Sequence, residues 1–131
     1  MTDLLTRIEN NQPIEAQELY DFIVAAIVKQ GRPSVGDNDM CLYRGPDGLK
    51  CAYGHVHPDS MYSKEMESRN VATLSELNLI PKSLVPHQRL LAYMQSDHDQ
   101  GSPQEGFVDR FLSFSKQTAL EFNLKPYGEN T

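Results

Sequence analysis

Cysteine and histidine are the side chains here best able to bind a metal or to act as nucleophile and base. Cys41 and Cys51 are the only cysteines; His55 and His57 follow the second, and His98 stands between Asp97 and Asp99. Cys41, Cys51, His55 and His98 together carry the donor types of a tetrahedral zinc site, and Cys51-x-x-x-His55 is a feasible local ligand pair. The spacing of the two cysteines matches no common zinc-finger template, and free cysteine is often buried as a small apolar side chain. Ordinary core thiols and polar histidines are the stronger reading, so no cofactor is expected; zinc is the one these residues could hold. A second chemistry is nucleophilic: Cys51 with His55 or His98, oriented by Asp97 or Asp99, has the residue types of a thiol, base and carboxylate. No thiol-hydrolase signature surrounds either cysteine, and no phosphate-cradling glycine motif occurs. No residue is therefore assigned a catalytic role. Asp97-His98-Asp99 reads most simply as the end of a helix, with its histidine pinning another element.

Both cysteines lie in Met40 to Tyr53, where the residues alternate as in a strand around Gly45-Pro46-Asp47-Gly48. Proline at the second turn position and glycine at the fourth predict a type I turn closed by a left-handed glycine, hence a β-hairpin over about 40–54. In that register Arg44 opposes Lys50. Cys41, Tyr43, Leu49, Cys51 and Tyr53 would share one apolar face. Like charges opposite each other destabilise a sheet. Arg44 and Lys50 are therefore expected either to splay into solvent or to form a small basic platform for a carboxylate-rich partner or a phosphate. Arg44, Lys50, His55, His57 and Asp59 are the candidate binding residues.

The run Cys-Leu-Tyr-Arg-Gly-Pro-Asp-Gly-Leu-Lys-Cys-Ala-Tyr-Gly, residues 41–54, resembles a signature of small uncharacterised phage, prophage and proteobacterial proteins. Their pattern is similar to Cys-x-Tyr-Arg-Gly-x-x-Gly-x-Lys-Cys-Ala-x-Gly, with a later His-Asp that corresponds here to His98-Asp99. Many have a third cysteine where this chain has His55, an exchange of one zinc ligand for another. The resemblance implies an accessory protein of a mobile element, acting on a host component.

The elements that must position these residues are mostly helical. A short helix after Thr2 carries Leu4, Leu5 and Ile8. A second is predicted over Ile14 to Gln30, with Leu19, Phe22, Ile23, Ala26 and Ile27 on one face, Gly31 closing it and Pro33 beyond. Residues 60–84 suggest only short turns of helix around Met61 to Met66 and Thr73 to Leu79. A further helix is predicted from Pro86 to about Asp97. The last is predicted from Pro103 to about Asn123, opened by the capping box Ser102-Pro103-Gln104-Glu105. The tail 125–131 is expected to be flexible.

The 131 residues, 39% apolar with mean hydropathy −0.52, predict one domain, 1–131, with a single core. No apolar run is long enough to span a membrane and no signal peptide is read at the N-terminus. With two cysteines this suggests a reducing cytoplasm. Net charge −6 disfavours direct nucleic-acid binding. The expected fold is α+β: three main helices and one or two short ones packed on a single β-hairpin. The expected function is a small cytoplasmic phage or mobile-element accessory protein that binds and modulates a host protein or complex, for example as an antagonist of host defence resembling an anti-CRISPR inhibitor. The alternatives are a zinc-binding structural or regulatory module and a small Cys/His-dependent hydrolase or transferase.

Overall fold

The computed structural model describes residues 3–36, 41–101 and 105–128. Five α-helices carry the architecture: α1 Leu4–Glu9, α2 Ala16–Gln30, α3 Val71–Glu76, α4 Gln88–Gly101 and α5 Phe107–Glu121. Short 3-10 turns at Pro46–Gly48, Tyr53–His55, Asp59–Met61, Lys64–Met66 and Lys82–His87 punctuate the connections.

Helix α2 forms where its apolar spacing predicts. The Glu15 and Glu18 side chains close a capping box at its start, and Gly31 ends it at φ 78°. A left-handed C-terminal residue is the position where glycine meets least steric cost. Leu19, Tyr20, Ile23, Val24 and Ile27 are buried from this helix. They meet α5, which also packs on α4, while α3 covers α4. Phe107 and Phe111 of α5 stack in the same core, with ring centroids 5.9 Å apart. The Tyr20 hydroxyl donates to the Ser115 carbonyl at 3.2 Å and accepts from the Tyr127 backbone at 3.1 Å. Lys125 also exchanges hydrogen bonds with the Gln17 amide. The tail is therefore tied to α2 as far as Tyr127.

Helix boundaries shift in physically readable ways. Asp3 caps α1, its carboxylate accepting from Thr6 N–H at 2.8 Å; the expected cap, Thr2, lies outside the described residues. Asn70 caps α3 in the same manner. Helix α4 runs through Asp99-Gln100 to Gly101 instead of breaking there; Gly101 packs against Phe107, where an added Cβ would stand 3.0 Å from the ring. The predicted capping box falls on 102–104, outside the described residues, apart from Glu105.

The expected α+β fold is corrected to a mostly helical one. Among the described residues there is no strand longer than an isolated bridge, so the hairpin over 40–54 does not form. Arg44 and Lys50 do face each other in one antiparallel bridge, and Val35 with Cys41 makes another. Side chains take the hydrogen bonds that a ladder would need. The Glu67 carboxylate accepts from Tyr43 N–H and Arg44 N–H at 2.9 and 3.2 Å. The Gln30 amide both donates to and accepts from the Lys50 backbone, and Gln95 accepts from Tyr53 N–H at 3.0 Å. Backbone groups need partners but not strand partners. With those supplied from three separate elements, the chain turns helical at Ala52 (φ −55°, ψ −56°) and leaves the sheet path. At the turn itself Asp47, as well as Gly48, is left-handed.

Candidate functional site

Helix α4 presents three consecutive chemistry-bearing residues in different directions. Asp97 points toward α5, where its Oδ2 accepts from the Thr118 hydroxyl at 2.6 Å. His98 is fully buried and its Nε2 accepts from Ser34 N–H at 3.0 Å. Asp99 reaches the loop that carries Cys41. Its Oδ1 accepts from Gln95 at 3.0 Å and lies 3.1 Å from His98 Nδ1, and its carboxylate also accepts from the Cys41 thiol. Because Ser34 N–H donates to Nε2, that nitrogen carries no proton; the ring hydrogen lies on Nδ1 and is donated to Asp99.

Cys41, His98 and Asp99 form the one Cys/His/carboxylate group among the described residues whose possible ligand atoms all lie within 4.8 Å of one another. This is a possible metal-binding cluster. Two of the expected ligands, Cys41 and His98, meet here; Cys51 and His55 are not in the group, and Asp99 takes part in their place. Zinc accepts thiolate, imidazole and carboxylate ligands. The hydrogen bonds present favour a different use. A metal on His98 Nδ1 would place the ring proton on Nε2, against the Ser34 N–H, so binding requires that contact to break.

The same geometry argues against thiol catalysis. Burial, reinforced by the hydrogen bond to Asp99 and by its charge, pushes the Cys41 thiol up to about 12. The His98 nitrogen that would serve as base is occupied by Ser34. Cys51 is fully buried, its sulfur accepts from Gly54 N–H at 3.2 Å, and burial holds its thiol far above the ordinary range. A reactive cysteine has the opposite environment, partly exposed and electropositive. Both cysteines are free thiols.

Of the candidate binding residues, Arg44 is a fastener. Its guanidinium donates to the carbonyls of Gly54 at 2.7 Å and His57 at 2.9 Å, pairs with Asp59 at 2.9 Å and lies over the Tyr62 ring. Gly54 leaves room for this packing, since a Cβ there would stand 3.3 Å from Arg44 Nη1 and 2.5 Å from the Tyr43 carbonyl oxygen. Lys50, His55, His57 and Asp59 line one cleft of about 190 Å³, walled on the other side by Leu5, Thr6 and Glu9 around α1. His57 Nδ1 and the Tyr53 hydroxyl are 2.7 Å apart. Among the described residues, the Nε2 atoms of His55 and His57 are buried without a hydrogen-bond partner of good geometry. Burial pulls both imidazoles down to about 4, aided at His55 by Lys50 and opposed at His57 by the Met61 backbone.

A further cleft of about 300 Å³ lies over Cys41, Tyr43, Gln95 and Asp99 and is edged by Ser68, Arg69 and Asn70. Glu67, Gln30 and Gln95, which decide the path of the loop, are residues that sequence reasoning passed over. Each is a lone polar side chain on a mixed surface, with no periodic signal. Among the described residues no helix is long and apolar enough to cross a membrane. Comparison with family models, with curated proteins and with solved structures finds no significant match for this chain.

Proposed function

We propose that this chain is a small accessory protein of phage or mobile-element type that binds a host macromolecule and modulates it by contact, antagonism of host defence being one form of that role. The observation that carries the binding reading is the cleft between α1 and residues 50–59. It gathers Lys50, His55, His57 and Asp59 beside the exposed Leu5. Its mixture of cation, carboxylate and apolar surface suits a protein partner, as does a net charge of −6, which opposes a polyanion. The mobile-element assignment rests on the resemblance of residues 41–54. Reading the chain as non-enzymatic is supported by thiols held protonated and by an imidazole with both nitrogens engaged.

The test is capture from the host lysate, comparing the wild-type chain with Leu5→Asp/Lys50→Glu. Both side chains lie at the cleft, and neither is one of the groups that Arg44 fastens. A defined partner lost by the variant, with its melting temperature unchanged, supports the cleft. Retention of that partner at equal strength removes it.

A zinc-binding structural or regulatory module is the second reading, favoured by the convergence of Cys41, His98 and Asp99. Native mass spectrometry of protein purified without chelators separates the two. One stoichiometric zinc, lost with a chelator and accompanied by faster exchange of the Ser34 amide, supports the metal module. A bare mass after incubation with zinc leaves the cluster as a hydrogen-bonded clamp.

A further inference from the structure

The cleft between α4 and α5 has a volume of about 480 Å³ and lies apart from the thiols and from the 50–59 loop. Ala92 and Tyr93 of α4 line it with Phe114, Thr118 and Glu121 of α5, and Asp97 opens into it. We propose that this cleft binds a small organic ammonium ion, with the charged nitrogen on Asp97 and the apolar stem between Tyr93 and Phe114.

Asp97 is 7% exposed. Its Oδ2 takes the Thr118 hydroxyl; its Oδ1 is not one of the buried unpartnered atoms among the described residues, and it opens to the cleft. A buried carboxylate is ordinarily paired with a cation or fully hydrogen-bonded. Here the single hydroxyl is what the protein supplies, and no Lys or Arg lines the cleft. The missing partner is a positive charge small enough to enter. The volume falls in the range of small-molecule sites, roughly 300–1,000 Å³. The aromatic walls favour a cation with an apolar body over a strongly hydrated metal ion. The Tyr93 ring is already held, edge-on to Phe122 at 5.1 Å and under the Arg89 guanidinium at 5.4 Å. The wall therefore needs little ordering when a ligand arrives.

The experiment is an NMR titration of the full chain with benzylammonium, using benzyl alcohol as the neutral isostere. The expected result is saturable shifts on α4 and α5, with benzyl alcohol weaker by at least roughly tenfold. Asp97→Asn should remove the preference for the cation. Equal binding of the alcohol, shifts confined to other elements, or no saturable shift with benzylammonium overturns the proposal. The comparison of the two probes is made on the wild-type chain, so it stands even if Asp97→Asn folds poorly.

Discussion

The Nε2 of His98 accepts the backbone N–H of Ser34 at 3.0 Å, across 64 residues of sequence. That contact ties the segment before Cys41 to α4 and fixes the ring tautomer. It also removes the lone pair that a thiol nucleophile would need as its base. His98 is therefore a buried strut. Replacing it with Phe, which keeps the ring but not the acceptor, should leave Ser34 N–H unsatisfied and lower stability by about 1–3 kcal/mol. Urea denaturation measures the loss; a variant as stable as wild type would show that Ser34 finds another acceptor without strain.

Thiol chemistry gives a selective readout of the neighbouring carboxylate. In the native chain both cysteines should alkylate slowly at neutral pH, since burial and Asp99 favour the protonated Cys41 thiol. Asp99→Asn removes the charge and the strong acceptor but leaves the burial. Cys41 should then react faster by several-fold while Cys51 stays inert. Peptide mass spectrometry after timed alkylation distinguishes the two sites. Rapid stoichiometric labelling of the wild-type chain would restore the nucleophile reading.

Arg44 should behave as an anchor whose loss unfolds the loop. Its guanidinium spans two carbonyls and a carboxylate, and its side chain is 17% exposed against 84% for Asp59. Arg44→Ala should cost about 2–4 kcal/mol by stripping buried acceptors. Arg44→Lys should recover little of this, because a single ammonium cannot span the same fork. Asp59→Ala should cost less than about 1 kcal/mol, since an exposed ion pair adds little. Equal losses for Arg44→Ala and Asp59→Ala in thermal or urea unfolding would contradict that ranking.

The helices were legible where a repeating apolar face carried the signal: α2 ends at Gly31 and buries Leu19, Ile23 and Ile27 of its stripe, while Tyr20 and Val24 are buried in place of the half-buried Phe22 and Ala26. The cluster was partly legible: Cys41 and His98 meet, but Asp99, read as an orienting group, stands as a possible ligand. The hairpin was misread for a definite reason. Alternation in residues 41–53 reports burial only in part: Tyr43, Cys51 and Tyr53 are buried as expected, but so is Ala52 between them, and Cys41 and Leu49 are only half-buried. It does not report where the backbone finds its hydrogen bonds. Those come from Gln30, Glu67 and Gln95, each one polar residue on a distant element. Pairing of that kind leaves no period in the sequence, whereas helical burial does.

Stability against pH tests the buried imidazoles and Asp97 together. His55 and His57 are held near 4 in the folded chain, below the unfolded value of about 6.5. As pH falls from about 6.5 to about 4 the unfolded chain takes up protons that the folded chain refuses, so stability drops with acid. Asp97 acts in the opposite sense. Its folded value of about 6 exceeds the ordinary 3.8, so between those values the folded chain keeps a proton that the unfolded chain has released. Near pH 5 the net uptake on unfolding is then about one proton, a slope of about 1 kcal/mol per pH unit. Asp97→Asn deletes the opposing group. It should raise stability at neutral pH and steepen the slope near pH 5 to about 2.5 kcal/mol per unit. His57→Gln in that background should bring the slope back down. Chemical denaturation at a series of pH values measures all three chains. A wild-type stability flat between pH 6.5 and 4, or an Asp97→Asn slope no steeper than wild type, would mean that these groups are more hydrated in solution than their burial implies.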